Sequence, residues 1–344
     1  MRRAIGFIVL LAIILSGCEN KDKTFPDFDY TSVYFPLQFP VRTLNLGVDR
    51  FDNSMDKELN FDIGVAIGGM YTNTQDWMVE FEIDASLCEG LMIEGEDLDT
   101  LNILPLPQSY YTLEPGNMVT IPSGSFSGLI NVQLTEDFLS DPLAINNRYV
   151  IPLRILSSDA DSILTGRPLV PDPDRRKLSD WDPAAPPKNF TLFMIKYINE
   201  YHGNYLRRGI DYTLDGSGNR TGQSVYHENY VEEDQVVQLR TAGRYELHTN
   251  FSGADTGGEN GIKIEMDNSS GAITVDKIPG SSIEVPQGSG QFVEGGGSWG
   301  GKERNVIYLN YNYSRSGTNH EVFDTLVYRD NTIKFEVFAP IVME

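Results

Sequence analysis

Beyond residue 30 the chain alternates apolar and polar residues with a period of two, and helical spacing of apolar residues is nearly absent. Trp77, Val79, Phe81 and Ile83 line one face of a predicted strand, with Met78, Glu80, Glu82 and Asp84 on the other. Leu59, Phe61, Ile63, Val65 and Ile67 do the same against Asn60, Asp62, Gly64 and Ala66. Further strands are predicted over 32–36, 41–48, 118–121, 129–134 and 149–156, each bounded by Gly, Pro, Asn or Asp. One short helix is predicted over 135–140, where Glu136 and Asp137 suit a first turn. Short strands at this spacing predict an immunoglobulin-like β-sandwich.

Residues 157–189 are rich in proline and aspartate, but the alternation resumes at 190–198. Antiparallel pairing of 190–198 with 149–156 would close the same sandwich, making 157–189 a long loop and placing the domain boundary near Glu200. The first domain is thus read as 30–199 and the second as 200–344. Strands are predicted in the second over 204–212, 223–230, 235–241, 245–251, 262–266, 272–275, 305–313, 322–328 and 333–338. Sequential strands with short turns favour an antiparallel meander, either a lipocalin-like up-and-down barrel or a second sandwich. The fold class is all-β.

The N-terminus breaks this pattern. Arg2 and Arg3 precede an apolar run over 4–15, interrupted only by Gly6 and too short to span a bilayer, which takes about 20 residues. It ends in Leu15-Ser16-Gly17-Cys18, which resembles a bacterial lipobox. The expectation is a signal peptide over 1–17, lipidation at Cys18, and a polar tether over 18–29. The net charge of −22 becomes −24 once Arg2 and Arg3 leave with the signal peptide. That excess of acid argues against nucleic acid or an anionic membrane surface as the main partner, so the membrane is reached through the lipid alone. With Cys18 lipidated, Cys88 has no disulfide partner in the chain.

The glycine run 295–301 matches two catalytic patterns, the nucleophile elbow at Gly296-x-Ser298-x-Gly300 and the dinucleotide fingerprint at Gly295-x-Gly297-x-x-Gly300. Both need a helix after the turn, whereas strand-like residues follow here. His202, His227, His248 and His320 lack zinc-site spacing. A weak structural calcium remains open, with oxygens from Asp211, Asp215, Ser217 and Asn219 or from Asp172, Asp174, Asp180 and Asp182, although turn chemistry accounts for both sets. No resident cofactor is expected.

Several segments together resemble one family. They are Met118 to Gly124, the run 129–134, Tyr149-Val150-Ile151-Pro152-Leu153-Arg154, and 190–196. Tyr201-His202-Gly203-Asn204-Tyr205-Leu206-Arg207-Arg208-Gly209, Ser298-Trp299-Gly300-Gly301-Lys302, Asp324-Thr325-Leu326-Val327 and Arg329-Asp330 extend the likeness over nearly the whole mature chain. The family is that of Bacteroidetes lipoproteins with a conserved N-terminal domain of formerly unknown function, encoded in polysaccharide-utilisation loci. The resemblance implies an immunoglobulin-like first domain, a β-rich second domain, anchorage in the outer membrane facing the exterior, and a grip on glycan. It implies importer components of the same locus as partners, and it carries no catalytic residue. The tether also resembles the surface-export signal of such lipoproteins, interrupted by Lys21 and Lys23.

Sugar rings stack their C–H faces on exposed aromatic rings, so the site search is for aromatics that the strands do not bury. Trp299 in the glycine run, either an exposed stacking platform or a plug closing the barrel end, is the first candidate, with Lys302 and Arg304 beside it. Trp181 in the long loop, either a platform or part of a packed lid, is the second. Trp77 reads as core, and Tyr201, Tyr205, Tyr308, Tyr311 and Tyr313 read as core or barrel wall. The expected function is capture of a polysaccharide or oligosaccharide at the cell surface, without catalysis. The alternatives are an adhesin or pilus-type subunit and a lipid-anchored glycosidase with paired carboxylates.

Overall fold

The structure is a computed structural model and describes residues 27–95, 99–256 and 261–343. The signal peptide 1–17, Cys18 and the tether as far as residue 26 lie outside the described residues. The protein is all-β: a sandwich followed by a closed barrel.

In one sheet of the sandwich, Asn60–Gly68 lies between Ser32–Tyr34 and Ser127–Leu134, with Tyr111–Glu114 outermost. In the other, Phe190–Ile198 lies between Pro40–Asn45 and Tyr149–Ser158, followed by Trp77–Ile83 and Met118–Ile121. The register of the central antiparallel pair sets Ile151 opposite Phe193 and Leu153 opposite Thr191. Phe61, Ile63, Val65, Ile130 and Val132 meet Phe81, Ile151, Leu153 and Tyr197 in one core, as their alternation requires. The second sheet is buried on its other face too, where Val150, Leu192 and Met194 pack against Leu87, Leu91 and Phe338. That double burial explains the unbroken apolar run at Tyr149–Leu153. The predicted helix forms as Glu136–Ser140, and a short one, Ser54–Lys57, joins it.

Eight strands close the barrel in chain order: Gly203–Leu214, Gln235–Thr241, Glu246–Thr249, Ile262–Met266, Ala272–Lys277, Glu284–Trp299, Lys302–Arg315 and Thr318–Asp330, which pairs back to the first. Arg220–Tyr226 pairs outside the ring with the second half of Gly203–Leu214, leaving the first half to Gln235–Thr241. Inside, Tyr205, Leu239, Leu247, Ile264, Ile307 and Leu326 form an apolar core, so the up-and-down topology encloses packed side chains. A polar network built on Arg207, Asp211 and Asp324 fills the rest, with the Phe251–Ser252 and Asp255–Thr256 hairpin against it.

Two expectations change. The glycine run is the tip of a long hairpin, not a loop. Trp299 pairs with Lys302 across Gly300 and Gly301, whose φ of 59° and 71° make a two-residue turn that suits strand twist. The segment beyond Asp330, assigned above to the second domain, returns to the first. There Glu336–Val337 pairs with Val41 and Pro40, and Ile341–Val342 pairs with Met92 and Leu91.

Candidate functional site

Register fixes which side chains share the barrel's outer wall. Val293, Val306, Val327 and Leu206 lie across from one another on neighbouring strands, and Trp299 packs over Val306, Val327 and Leu206. The next row is Gln291, Tyr308, Thr325 and Arg208. After it come Ser289, Asn310, Phe323 and Ile210, then Gln287, Asn312, Glu321 and Tyr212. Rows lie two residues apart, about 7 Å at ~3.4 Å per residue, so the strip from Trp299 to Tyr212 is roughly 20 Å long.

The middle of the strip is the exposed part. Tyr308 and Phe323 are diagonal neighbours on adjacent strands, 41% and 36% exposed. They border a shallow groove of about 400 Å³, lined also by Ser289, Gln291, Asn310 and Thr325. Its outward side chains are rings, amides and hydroxyls on a chain of charge −22, and Asp324, which also borders it, keeps its carboxylate on Arg207 inside the barrel. The charges at its margins are paired, Arg208 with Asp234 at 2.6 Å and Arg220 with Glu321 at 2.7 Å. Tyr212 is covered by the Arg220 guanidinium, 3.8 Å above its ring, and meets the Phe323 ring edge-on at 6.4 Å. Arranged this way, the groove offers the Tyr308 ring and the Phe323 ring, the latter with the Arg220 guanidinium 5.7 Å from its centroid, for stacking, and a set of amides and hydroxyls for polar contacts, all on barrel strands.

The residues expected from the sequence fall in different places. Trp299 neither plugs the barrel end nor stands free, but lies half-buried on the outer wall with its indole N–H donating to the Tyr328 carbonyl at 2.9 Å. Arg304 does come together with it, though by stacking 4.1 Å above its ring and so occupying a face that a sugar would need. Lys302 is exposed at the hairpin tip. Trp181 is only 6% exposed and belongs to the first domain's long loop, where its N–H donates to the Asp174 carbonyl and Gly166 abuts its ring. It packs that loop and presents no stacking face.

Turn and core chemistry claims the calcium candidates. Asp215 accepts from the backbone of Ser217 and Asn219, whereas Asp211 is buried against Tyr313, His320 and Ala254. Asp174 pairs with Arg176 and Asp182 with Arg167. Tyr308, read as core or wall, lies on the outer face of the wall, and its exposure, like that of Phe323, is what the sequence did not single out. Its strand turns Ile307, Leu309, Tyr311 and Tyr313 inward, so Tyr308 shares its parity with Asn310 and Asn312. That polar parity was the available signal. Val306 obscured it, being an outer residue made apolar by the tryptophan that covers it.

No curated protein matches the chain. A model described as a domain of unknown function, DUF5627, matches residues 200–332, and one described as an N-terminal domain matches 28–162. A crystal structure of a Bacteroides ovatus protein of unknown function is 36% identical, over 92% of this chain and 100% of that one, with a TM-score of 0.81. More distant is an auxiliary nutrient binding protein from Bacteroides thetaiotaomicron, 13% identical over 83% and 90% of the two chains, TM-score 0.38. A multidomain B. ovatus protein including DUF1735 is 14% identical over 87% and 94%, TM-score 0.41. Likeness at those two scores bears on neither mechanism nor ligand. With the identity and full coverage of the first match, this two-domain all-β chain, whose second domain matches DUF5627, belongs to the same family as that B. ovatus protein.

Proposed function

We propose that this protein binds carbohydrate through the outer wall of its barrel, capturing glycan without cleaving it. One observation carries the reading: Tyr308 and Phe323 stand exposed on adjacent strands, diagonal to each other, among the amides and hydroxyls of Gln291, Asn310, Ser289 and Thr325. Stacked rings take the apolar faces of sugars, and Gln291, Asn310, Ser289 and Thr325 serve their hydroxyls in both donor and acceptor roles. Side chains held by a closed barrel lose little freedom on binding, which favours affinity.

The test is affinity electrophoresis of the soluble mature chain through gels of neutral polysaccharides, with product analysis alongside. Tyr308→Ala and Phe323→Ala should each weaken retention about 10- to 100-fold while leaving the melting temperature nearly unchanged, because both rings are exposed. Retention by no polysaccharide, or retention unaffected by both changes, would sink the reading. Release of sugar fragments would replace binding by hydrolysis.

Location belongs to the same proposal. The run 4–15 and Cys18 support a lipid anchor, and the family resemblance supports placing it in the outer membrane facing outward, where captured glycan would pass to importer components of a polysaccharide-utilisation locus. Cys18→Ala should shift the protein from the membrane fraction to the soluble one. If it stays with the membrane after a high-salt wash, the anchor is elsewhere.

A further inference from the structure

A cleft of about 430 Å³ separates the two domains; it adjoins the Trp299 end of the strip, where Phe292, Glu294 and Asn305 flank Val293 and Val306, and it does not include Tyr308 or Phe323. The sandwich contributes Lys57 and Glu136, one from each of its short helices, and the junction contributes Glu200. The barrel contributes Arg244, Phe292 and Glu294. Gly47 lets the walls meet: a Cβ there would sit 2.6 Å from the Glu200 carbonyl oxygen.

The charges in this cleft are arranged unusually. Two cations and three carboxylates line one small space, yet among the described residues none is in an ion pair. Arg244 stacks on Tyr245 at 5.0 Å, and its Nη1 is buried without a hydrogen-bond partner. A partly enclosed guanidinium without an acceptor leaves bonding capacity unused, and that costs free energy unless a ligand supplies one. An anion would meet three carboxylates and a cation two basic groups, so a simple ion is poorly matched. A neutral polyol is well matched, because each hydroxyl accepts from Arg244 or Lys57 while donating to Glu200, Glu294 or Glu136. Phe292, half-buried and edge-on to Tyr201 at 5.0 Å, supplies an apolar wall. The volume lies within the range of small-ligand sites, which favour domain interfaces.

We infer that this cleft is a second sugar site, holding a short neutral oligosaccharide or the end of a chain, whereas the open strip on the barrel wall grips the middle of one. The ligand class rests on the carbohydrate reading above. The two sites are nevertheless separable by experiment.

Isothermal titration of the soluble mature chain with neutral trisaccharides (maltotriose, cellotriose, laminaritriose, xylotriose and mannotriose) tests the assignment. At least one should bind, and bind equally well to the Tyr308→Ala/Phe323→Ala double variant. Arg244→Met and Glu294→Gln should each weaken it by at least about tenfold, the loss expected for a charged hydrogen bond. Glu294 is exposed, so its variant keeps the test valid if Arg244→Met fails to fold. Trisaccharide binding untouched by both cleft changes, or no binding at all, would overturn the second site. Continued polysaccharide retention through Tyr308 would then leave the first reading standing, and loss of both would end it too.

Discussion

Arg207 and Asp324 meet inside the barrel in a bidentate ion pair that solvent does not reach, Nε donating to Oδ1 at 3.0 Å and Nη2 to Oδ2 at 2.9 Å. The Tyr226 and Tyr311 hydroxyls donate to the same carboxylate, and Nη2 also donates to the Gly253 carbonyl at 2.6 Å. The guanidinium lies 3.9 Å above the Phe251 ring. Burial works against the charge on Arg207, and the carboxylate beside it outweighs that, holding the guanidinium protonated. Gly209, opposite Asp324, leaves the room: a Cβ there would come within 2.6 Å of Oδ1.

Removing one partner of such a pair strands a buried charge. Asp324→Asn should destabilise the protein by roughly 3–5 kcal/mol, read from urea unfolding. The double change Arg207→Met with Asp324→Leu should recover much of that loss, since no charge is then left unpaired. A single variant as stable as the parent would show that the network is dispensable.

His202 marks the domain junction, where its Nδ1 accepts from the Thr241 backbone N–H at 3.1 Å. Burial holds its imidazole down at about 4, helped by the charges of Arg240 and Lys196, against 6.5 for an exposed histidine. The unfolded chain therefore takes up a proton that the folded protein resists. Stability linked to this group is complete above pH 6.5 and is lost as pH falls toward 4, by roughly 3 kcal/mol at ~1.4 kcal/mol per unit. Unfolding at about pH 7.5 and about pH 4.5 measures it. His202→Asn keeps an acceptor without a proton to gain and should shrink the pH dependence, and an unchanged dependence would assign it elsewhere.

Phe338 ties the tail to the first domain. It is 7% exposed, packs edge-on against Phe39 at 5.5 Å, and its N–H donates to the Phe39 carbonyl at 3.0 Å. Phe338→Ala should cost about 3–5 kcal/mol. Calorimetry should show one cooperative transition separating into two, with the sandwich melting first. A single transition at the parental temperature would mean that the tail does not couple the domains.

Period-two alternation by itself determined that this protein is all-β, because a strand needs one apolar face and every such face must be buried. Sequential strands and short turns likewise foretold a meander in the second domain. Alternation does not say which face of a strand turns inward when both carry mixed residues. In Gly203–Leu214 the inner side holds Tyr205, Arg207 and Asp211, and only closure against Thr318–Asp330 makes it the inner one. Arg207 finds Asp324 from 117 positions away, beyond any local pattern. The same closure puts Tyr308 on the outer face of the barrel wall rather than in the core and lays Trp299 over Val306. The cleft depends still more on tertiary structure, since Lys57, Glu136, Arg244 and Glu294 come from both domains and share no motif. Faces are written in local periodicity, but which face is enclosed, and what meets across a gap, is set by contacts between distant strands.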